Sequence, residues 1–370
     1  MAANTSYAPS RLTIDLNAIQ DNYKTICDYV SPSRSGAVVK ADGYGLGEVI
    51  VSKALYNAGC RAFFTAHIDE AIAVKQAIPD ASVSVMNGLL AGEETVYKEY
   101  NLVPTLNSLD QVKIWQKFCR ENDNLPQANL QFDTGMARLG LMPKELDELC
   151  EDLSPLDGIN LQFIMSHMAC ADETSHPLNR KQQQEFTKGI ARLPKATAML
   201  AASSAIFLGK DWHFDMVRPG VALYGGRPNE DAPNPMKQVI KLEGKVVQVR
   251  EVNAPETVGY AASYEAKDRR LIATVAAGYA DGYIRSLSNT ATAYKNEKAV
   301  PLVGRVSMDV LTFDVTHLEN TANEVKTGDM LDLIGPNHDI NDLAKEAGTI
   351  PYEILTSLGK RYARHYIGGE

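Results

Sequence analysis

Short apolar runs recur along the first two thirds of this chain, at 37–40, 62–66, 82–87, 103–105, 130–133, 160–166, 196–200 and 214–218. Between them lie stretches with helical spacing, such as Val49, Val51, Ala54, Leu55 and Ala58, or Leu109, Val112, Ile114, Trp115 and Phe118. Parallel strands need a long crossover, and a helix is the usual one, so this alternation predicts a parallel sheet with helices packed outside. Eight such units predict an α/β fold closed as a (β/α)8 TIM-type barrel. An open doubly wound sheet competes, but no GxGxxG opens a helix after the first strand.

The texture then changes. Gly225-Gly-Arg-Pro-Asn-Glu-Asp-Ala-Pro-Asn-Pro235 ends any helix. Beyond it the pattern is strand-like at 245–252, 271–276, 310–315 and 330–334, with helices expected at 340–347, capped by Asn341, and at 352–358. A further short strand is expected near 12–16. At 370 residues two domains are the natural reading: a barrel over 1–234 and a mainly β domain over 235–370.

Composition removes several functions. A net charge of −9 with no basic cluster argues against a nucleic-acid partner. No apolar run is long enough to span a membrane, and residues 1–11 lack the apolar core of a signal peptide. The five cysteines (Cys27, Cys60, Cys119, Cys150, Cys170) form no CxxC pair, which excludes a zinc ribbon and fits a cytoplasmic protein.

Chemistry gathers where the strands end. The first run closes in Gly36-Ala-Val-Val-Lys-Ala-Asp-Gly-Tyr-Gly-Leu-Gly47, placing Lys40 at the lip of a buried strand. Lysine is almost never fully buried unless paired. Lys40 is either a snorkelling strand-end residue or a desolvated amine able to form a Schiff base. Arg138 lies in the loop after the fifth strand, His167 follows the sixth, Ser203 and Ser204 follow the seventh, and Arg218-Pro-Gly220 ends the eighth. Singly, each has a bland reading as a solvated or core residue. Together, at the end of a barrel where reacting groups sit, they suit a small anionic substrate and a phosphorylated cofactor. The Ser204 hydroxyl and the backbone N–H groups around Gly220 and Val221 offer donors for a phosphate monoester. No nucleotide-type phosphate loop is present. Phosphate plus an amine-reactive lysine points to pyridoxal phosphate; a sugar phosphate processed through a lysine Schiff base remains open on these residues alone.

The segments Val38-Val-Lys-Ala-Asp-Gly-Tyr-Gly-Leu-Gly47, Asp133-Thr-Gly-Met-Ala-Arg-Leu-Gly140, Arg218-Pro-Gly-Val-Ala-Leu-Tyr-Gly225, Gly278-Tyr-Ala-Asp-Gly282, Val303-Gly-Arg-Val-Ser-Met-Asp309 and Tyr352-Glu353 stand in one order, and the chain resembles alanine racemase over almost its whole length. The resemblance implies a pyridoxal 5'-phosphate barrel followed by a β domain. It implies that Lys40 carries the cofactor and serves as one base, and that Tyr264 of a partner subunit is the other. Arg218 would face the pyridine nitrogen, with His167 hydrogen-bonded beside it and the tyrosine. Tyr44, Ser204, Gly220, Val221 and Tyr352 would hold the phosphate. Arg138, Met308 and Asp309 would contact the substrate carboxylate, and Tyr279, Asp172 and Arg285 would line the entrance. The implied reaction interconverts L- and D-alanine, supplying D-alanine for peptidoglycan, in a homodimer with shared sites.

Racemisation removes a proton from one face of Cα and returns it to the other, for which two opposed bases are the simple solution. Lysine and tyrosine ionise near pH 10, so both require a shifted pKa; His167 and the arginines are the expected source of positive charge. Four positions depart from the family pattern. Gln131 replaces a frequent carbamylated lysine beside Arg138, Leu46 a histidine, and Asp42 and Ser203 asparagines. Competing functions are a racemase of broader specificity, a barrel decarboxylase using the same cofactor, and a non-catalytic cofactor carrier, which would lack the β domain.

Overall fold

A computed structural model describes residues 7–370. The chain forms two compact units. The first strand, β1 (Arg11–Asp15), leads into the helix Leu16–Val30. Asp15 starts that helix by accepting the Ala18 N–H at 3.0 Å.

The larger unit covers residues 19–223 with 227–236. Its first strand is broken at Gly36 into β2 (Arg34–Ser35) and β3 (Ala37–Val38). A Cβ at Gly36 would stand 2.8 Å from the Phe64 ring and 2.9 Å from the Ala62 carbonyl oxygen, so glycine lets the backbone pass close. There follow β4 (Ala62–Thr65), β5 (Ser82–Val85), β6 (Val103–Leu106), β7 (Ala128–Gln131), β8 (Leu161–Met165), β9 (Thr197–Met199) and β10 (Met216–Val217). Strands β3 to β9 form one parallel sheet in sequence order. β10 pairs in parallel with β2, Met216 opposite Arg34. On its other side the Asp215 and Arg218 N–H groups donate to the Ala198 and Ala201 carbonyls at 3.1 and 2.9 Å. These bonds close the eight-stranded ring, as the alternation predicts. The ring's apolar content is deeply buried: Phe63, Phe64, Val83, Leu106, Leu130 and Met165 have no exposed surface. Outside it, the helix Leu109–Glu121 buries Leu109, Val112 and Trp115 on one stripe, and Ser108 caps it by accepting the Gln111 N–H at 3.2 Å.

The smaller unit holds residues 237–368 together with β1. Its strands are β11 (Ile240–Val252), β12 (Thr257–Val258), β13 (Tyr264–Glu265), β14 (Arg270–Val275), β15 (Thr292–Lys295), β16 (Lys298–Pro301), β17 (Leu311–Asp314), β18 (Met330–Ile334) and β19 (Ala363–Ile367). The long β11 organises this sheet, pairing antiparallel with β1, β14 and β18. β1 also pairs in parallel with β19, Leu12 opposite Arg364. Residues 11–15 therefore belong to the β-rich sheet, whereas the division at 234 groups them with the barrel; their partners lie more than two hundred residues away, beyond any local pattern. The helix Ile340–Ala347 is present, but its cap is Asp339, whose Oδ1 accepts the Asn341 and Asp342 N–H groups at 2.7 and 3.0 Å. Asn341 itself lies inside the first turn. The last helix is Pro351–Ser357.

Candidate active site

The chain leaves β3 through Val39 and enters a left-handed turn at once. Ala41, Asp42, Gly43 and Tyr44 have φ between 55° and 60° and ψ between 41° and 52°. Left-handed geometry costs roughly 1–2 kcal/mol for each non-glycine residue, so three such residues within a run of four need support. The Gly43 N–H donates to Val39 O at 3.0 Å, Gly47 N–H to Asp42 O at 2.7 Å, and Ala41 N–H to Glu70 Oε1 at 2.7 Å. Asp42 Oδ1 accepts from the Glu48 N–H at 3.3 Å. Asp42 and burial also push the Glu48 carboxyl up to about 7. Lys40 thus stands at the hinge between a two-residue strand and a braced turn, not at the end of a longer strand over 37–40.

Four basic side chains act on one another at this end of the barrel. Burial first, then the charges of Arg138 and Arg218, lower the Lys40 pKa, with Glu70 opposing. Both effects favour the neutral amine, the form that can attack a carbonyl. Arg218 is 4% exposed, and burial and Arg138 bring its pKa down to about 10. Its Nη2 donates to the Ser166 carbonyl, and its Nη1 donates to His167 Nδ1 at 3.1 Å. Arginine has only donors, so Nδ1 accepts and the imidazole proton resides on Nε2. Burial and the charges of Arg218, Arg138 and Lys40 hold His167 well below its ordinary pKa. This corrects one expectation: His167 is neutral and adds no positive charge, which comes from the arginines. The His167 carbonyl is fixed by Gln182 Nε2 at 3.0 Å.

Arg138 sits exposed in a loop shaped by Asp133, whose Oδ1 accepts the Gly135, Met136 and Ala137 N–H groups at 3.0, 2.9 and 3.1 Å. Gln131 is buried at the end of β7, and no hydrogen bond joins it to Arg138 among the described residues.

Tyr44 is buried beside Gly220, where an added Cβ would overlap the phenol oxygen and lie 3.0 Å from Cζ. Ser203 and Ser204 open the short helix Ser203–Ile206, and Val221 opens a 3₁₀ turn, Val221–Tyr224. Ser203 Oγ accepts the N–H of Gly220 at 2.9 Å and of Ala222 at 3.2 Å. The Gly220 amide, expected to be open to phosphate, is already donated; of the two expected amides only Val221 is not held by Ser203.

All but one of the remaining predicted residues lie in the smaller unit. Tyr264 begins β13 opposite Val258 and is partly buried against the cluster Val252, Val258, Ala266, Ile272 and Val303. Its hydroxyl donates to Asp314 Oδ2 at 3.4 Å. Burial and Asp314 raise its pKa, while Arg270 lowers it. Met308, Tyr352 and Tyr279 are exposed apolar residues of this unit. Asp309 pairs with Arg361 Nη1 at 2.8 Å, and Arg285 is exposed. Asp172, in the larger unit, is exposed as well.

Sequence reasoning missed Glu70, Gln182 and Asp314. A carboxylate three residues into the helix Ile68–Ala77 reads as a helix-start residue, and Glu70 does accept the Ala66 and His67 N–H groups; its reach to Ala41 has no local signal.

The larger unit's residues fit pyridoxal phosphate. Arg218 Nε–H is buried without an acceptor, as a donor awaiting a ring nitrogen would be. The space at Gly220 beside Tyr44 admits no side chain, and Lys40 is depressed toward its reactive form.

Comparison with known proteins agrees in outline. The family described as alanine racemase, N-terminal domain, matches residues 14–228, and alanine racemase, C-terminal domain, matches 239–366. A protein of Agrobacterium fabrum named alanine racemase, catabolic, is 47% identical over 362 residues, covering 97% of this chain and 92% of its own. An alanine racemase of Rhodospirillum rubrum is 47% identical over 363 residues, covering 98% and 96%. The crystal structure of alanine racemase from Bartonella henselae with covalently bound pyridoxal phosphate aligns with a TM-score of 0.93 at 41% identity, covering 97% of this chain and all of that one.

Proposed function

This chain belongs to the alanine racemase family, with the pyridoxal-phosphate dependence and alanine racemisation that membership carries, and from that premise we propose that it works with two bases, Lys40 and Tyr264 of a partner subunit. The observation that carries this reading is the group of Lys40, His167, Arg138 and Arg218 at one mouth of the barrel, with the Arg218 Nε–H unspent.

Pyridoxal phosphate, when bound, supplies an electron sink that makes the substrate's Cα proton removable. Lys40 is the group that would hold it, and Arg218 would meet its ring nitrogen. Arg218, always protonated in this role, only donates, so its Nε–H would leave the ring nitrogen unprotonated. Arg218 would thereby restrain withdrawal of electrons into the ring and favour return of the proton to Cα over transamination. Tyr44, Ser204, Val221 and Tyr352 would anchor the phosphate, with Gly220, its amide held by Ser203, leaving room beside Tyr44. Arg138, Met308 and Asp309 would orient the substrate carboxylate. His167, neutral, holds Arg218 in register by accepting from it. Lys40 and Tyr264 then hold or release a proton, each on its own face of Cα.

Because Tyr264 is assigned to the partner, the working enzyme is a homodimer in which each site borrows from the other copy. Its substrate is a small amino acid, and no helix of the described residues is long and apolar enough to cross a membrane. The proposed setting is cytoplasmic, and the proposed role is supply of D-alanine for peptidoglycan. Since one relative is named catabolic, that role is checked by rescue of a D-alanine auxotroph.

The decisive experiment incubates the protein with L-alanine in heavy water. Deuterium enters Cα as optical activity disappears, and Tyr264→Phe abolishes both; other L-amino acids run in parallel test for a broader racemase, and loss of carboxylate as carbon dioxide tests for a decarboxylase. Mixing Lys40→Ala with Tyr264→Phe restores roughly a quarter of wild-type activity, because half the dimers are mixed and each has one intact site. No restoration would defeat the shared-site reading.

A further inference from the structure

The group facing the Tyr264 hydroxyl within its own unit is a carboxylate, which is an odd neighbour for a phenol that must give up its proton. Asp314 closes β17, the strand paired with β14, and is 8% exposed. It is held tightly: Thr316 Oγ1 donates to its Oδ1 at 2.6 Å and Thr316 N–H at 3.0 Å. Its other oxygen, Oδ2, receives the Tyr264 hydroxyl and Arg270 Nη1, each at 3.4 Å. Arg270, at the start of β14, is itself tied through Nε to Asp268 at 2.6 Å. Three short elements of one unit, β13, β14 and β17, therefore meet around the phenol oxygen. The charged groups facing it are Asp314 from β17, Arg270 from β14 and Asp268 from the loop before β14. On β13 itself, Glu265 follows Tyr264 and points to the opposite side of the pleat.

We propose that Asp314 is a positioning residue for Tyr264: clamped by Thr316 and paired with Arg270, its carboxylate accepts a hydrogen bond from the hydroxyl and fixes the direction in which the phenol oxygen presents itself to the substrate's Cα. This rests on the reading of Tyr264 as the second base and deepens it. A free phenol rotates its hydroxyl about the C–O bond; a fixed acceptor at Asp314 Oδ2 restrains that rotation and biases the oxygen's lone pairs toward the substrate side. The 3.4 Å separation makes the bond weak, so the hydrogen is aimed without being withheld. Arg270 offsets the cost of placing an anion there. Asp314 and Arg270 consequently push the readiness of the phenol to ionise in opposite senses.

The test uses the holoenzyme and follows kcat/KM against pH. In Asp314→Asn the rate falls and the limb assigned to Tyr264 moves to lower pH by about one unit. In Arg270→Gln that limb moves to higher pH, because Asp314 is no longer offset. Thr316→Val, a milder change that keeps the backbone bond to Asp314, also moves the limb upward and covers the case in which Asp314→Asn does not fold. A rate loss with the limb unmoved in all three variants overturns the proposal, leaving Asp314 a structural residue. In the Tyr264→Phe background, Asp314→Asn is expected to leave the residual exchange at Cα unchanged; a further loss there also overturns it. If Tyr264→Phe alone racemises like wild type, the two-base reading fails instead, which separates the two failures.

Discussion

Gly220→Ala isolates the packing of the proposed phosphate end from every electronic effect. Gly220 has no positive φ, so alanine can adopt its backbone. The difficulty is purely one of space: the new methyl overlaps the Tyr44 hydroxyl and lies 3.0 Å from Cζ. To regain ordinary contact the hydroxyl must retreat by about 1 Å in a buried site. Overpacking of this kind costs about 1–3 kcal/mol, which lowers Tm by about 3–10 °C in a unit of this size. A phosphate contact displaced by that distance forfeits a charge-assisted hydrogen bond of about 1.5–3 kcal/mol, equivalent to a tenfold to hundredfold weaker Kd for pyridoxal phosphate. The assays are thermal unfolding of the cofactor-free protein and a spectroscopic titration with cofactor. The double variant Tyr44→Phe with Gly220→Ala separates the two losses. Without the hydroxyl only the tight 3.0 Å approach to Cζ remains, so most of the lost Tm returns, whereas cofactor affinity stays low because the phenol contact is missing. Wild-type Tm and affinity in Gly220→Ala, or a Tm that Tyr44→Phe does not restore, would refute the packing argument.

Further outcomes follow from the charges. His167 is held neutral in the fold, below its unfolded value near 6.5, so the unfolded chain binds the extra proton first. Stability of the cofactor-free protein therefore falls as pH drops from about 6.5 toward the lower folded value, by up to about 1.4 kcal/mol per pH unit; His167→Gln removes that slope in urea midpoints, and an unchanged slope assigns it elsewhere. Arg218→Glu protonates the ring nitrogen and raises side transamination, read as pyridoxamine phosphate accumulating per racemisation turnover; equal or lower accumulation counts against the arginine's restraining role. Glu70→Gln keeps one acceptor oxygen, enough for the Ala41 N–H but not also for the Ala66 and His67 N–H groups, and removes the charge that opposes the depression of Lys40. The limb assigned to Lys40 accordingly moves to lower pH, and movement upward would show that the carboxylate acts through the turn instead.

The barrel was legible because its strands are buried on both faces and read as continuous apolar runs, from Phe63-Phe64 to Ile164-Met165. The two-residue strands β12 and β13 and the hairpin β15–β16 were not, since so short a bridge carries no periodicity and Asn296 supplies the only turn signal. The glycines after Lys40 announced a turn. Its left-handed course through Ala41, Asp42 and Tyr44 was hidden, being sustained by Glu70 from the next helix. The candidate site residues were legible as residue types at strand ends. Their protonation was not: His167 is neutral because of its burial and then the charges of Arg218, Arg138 and Lys40, contributed by segments far apart in the chain. Asp314 gave no sign at all, because what distinguishes it is the tyrosine across two strands.

The pairing of β1 with β19 bears on how the chain comes into being. Leu12 and Ile14 are made long before their neighbours Arg364 and Tyr366. A ribosome has to reach that second strand before the sheet can seal, so β1 must wait, unsatisfied along that edge, while the barrel assembles. Removing β19 should accordingly harm β1, and cutting the gene at the linker should yield one half lacking a strand rather than two independent pieces.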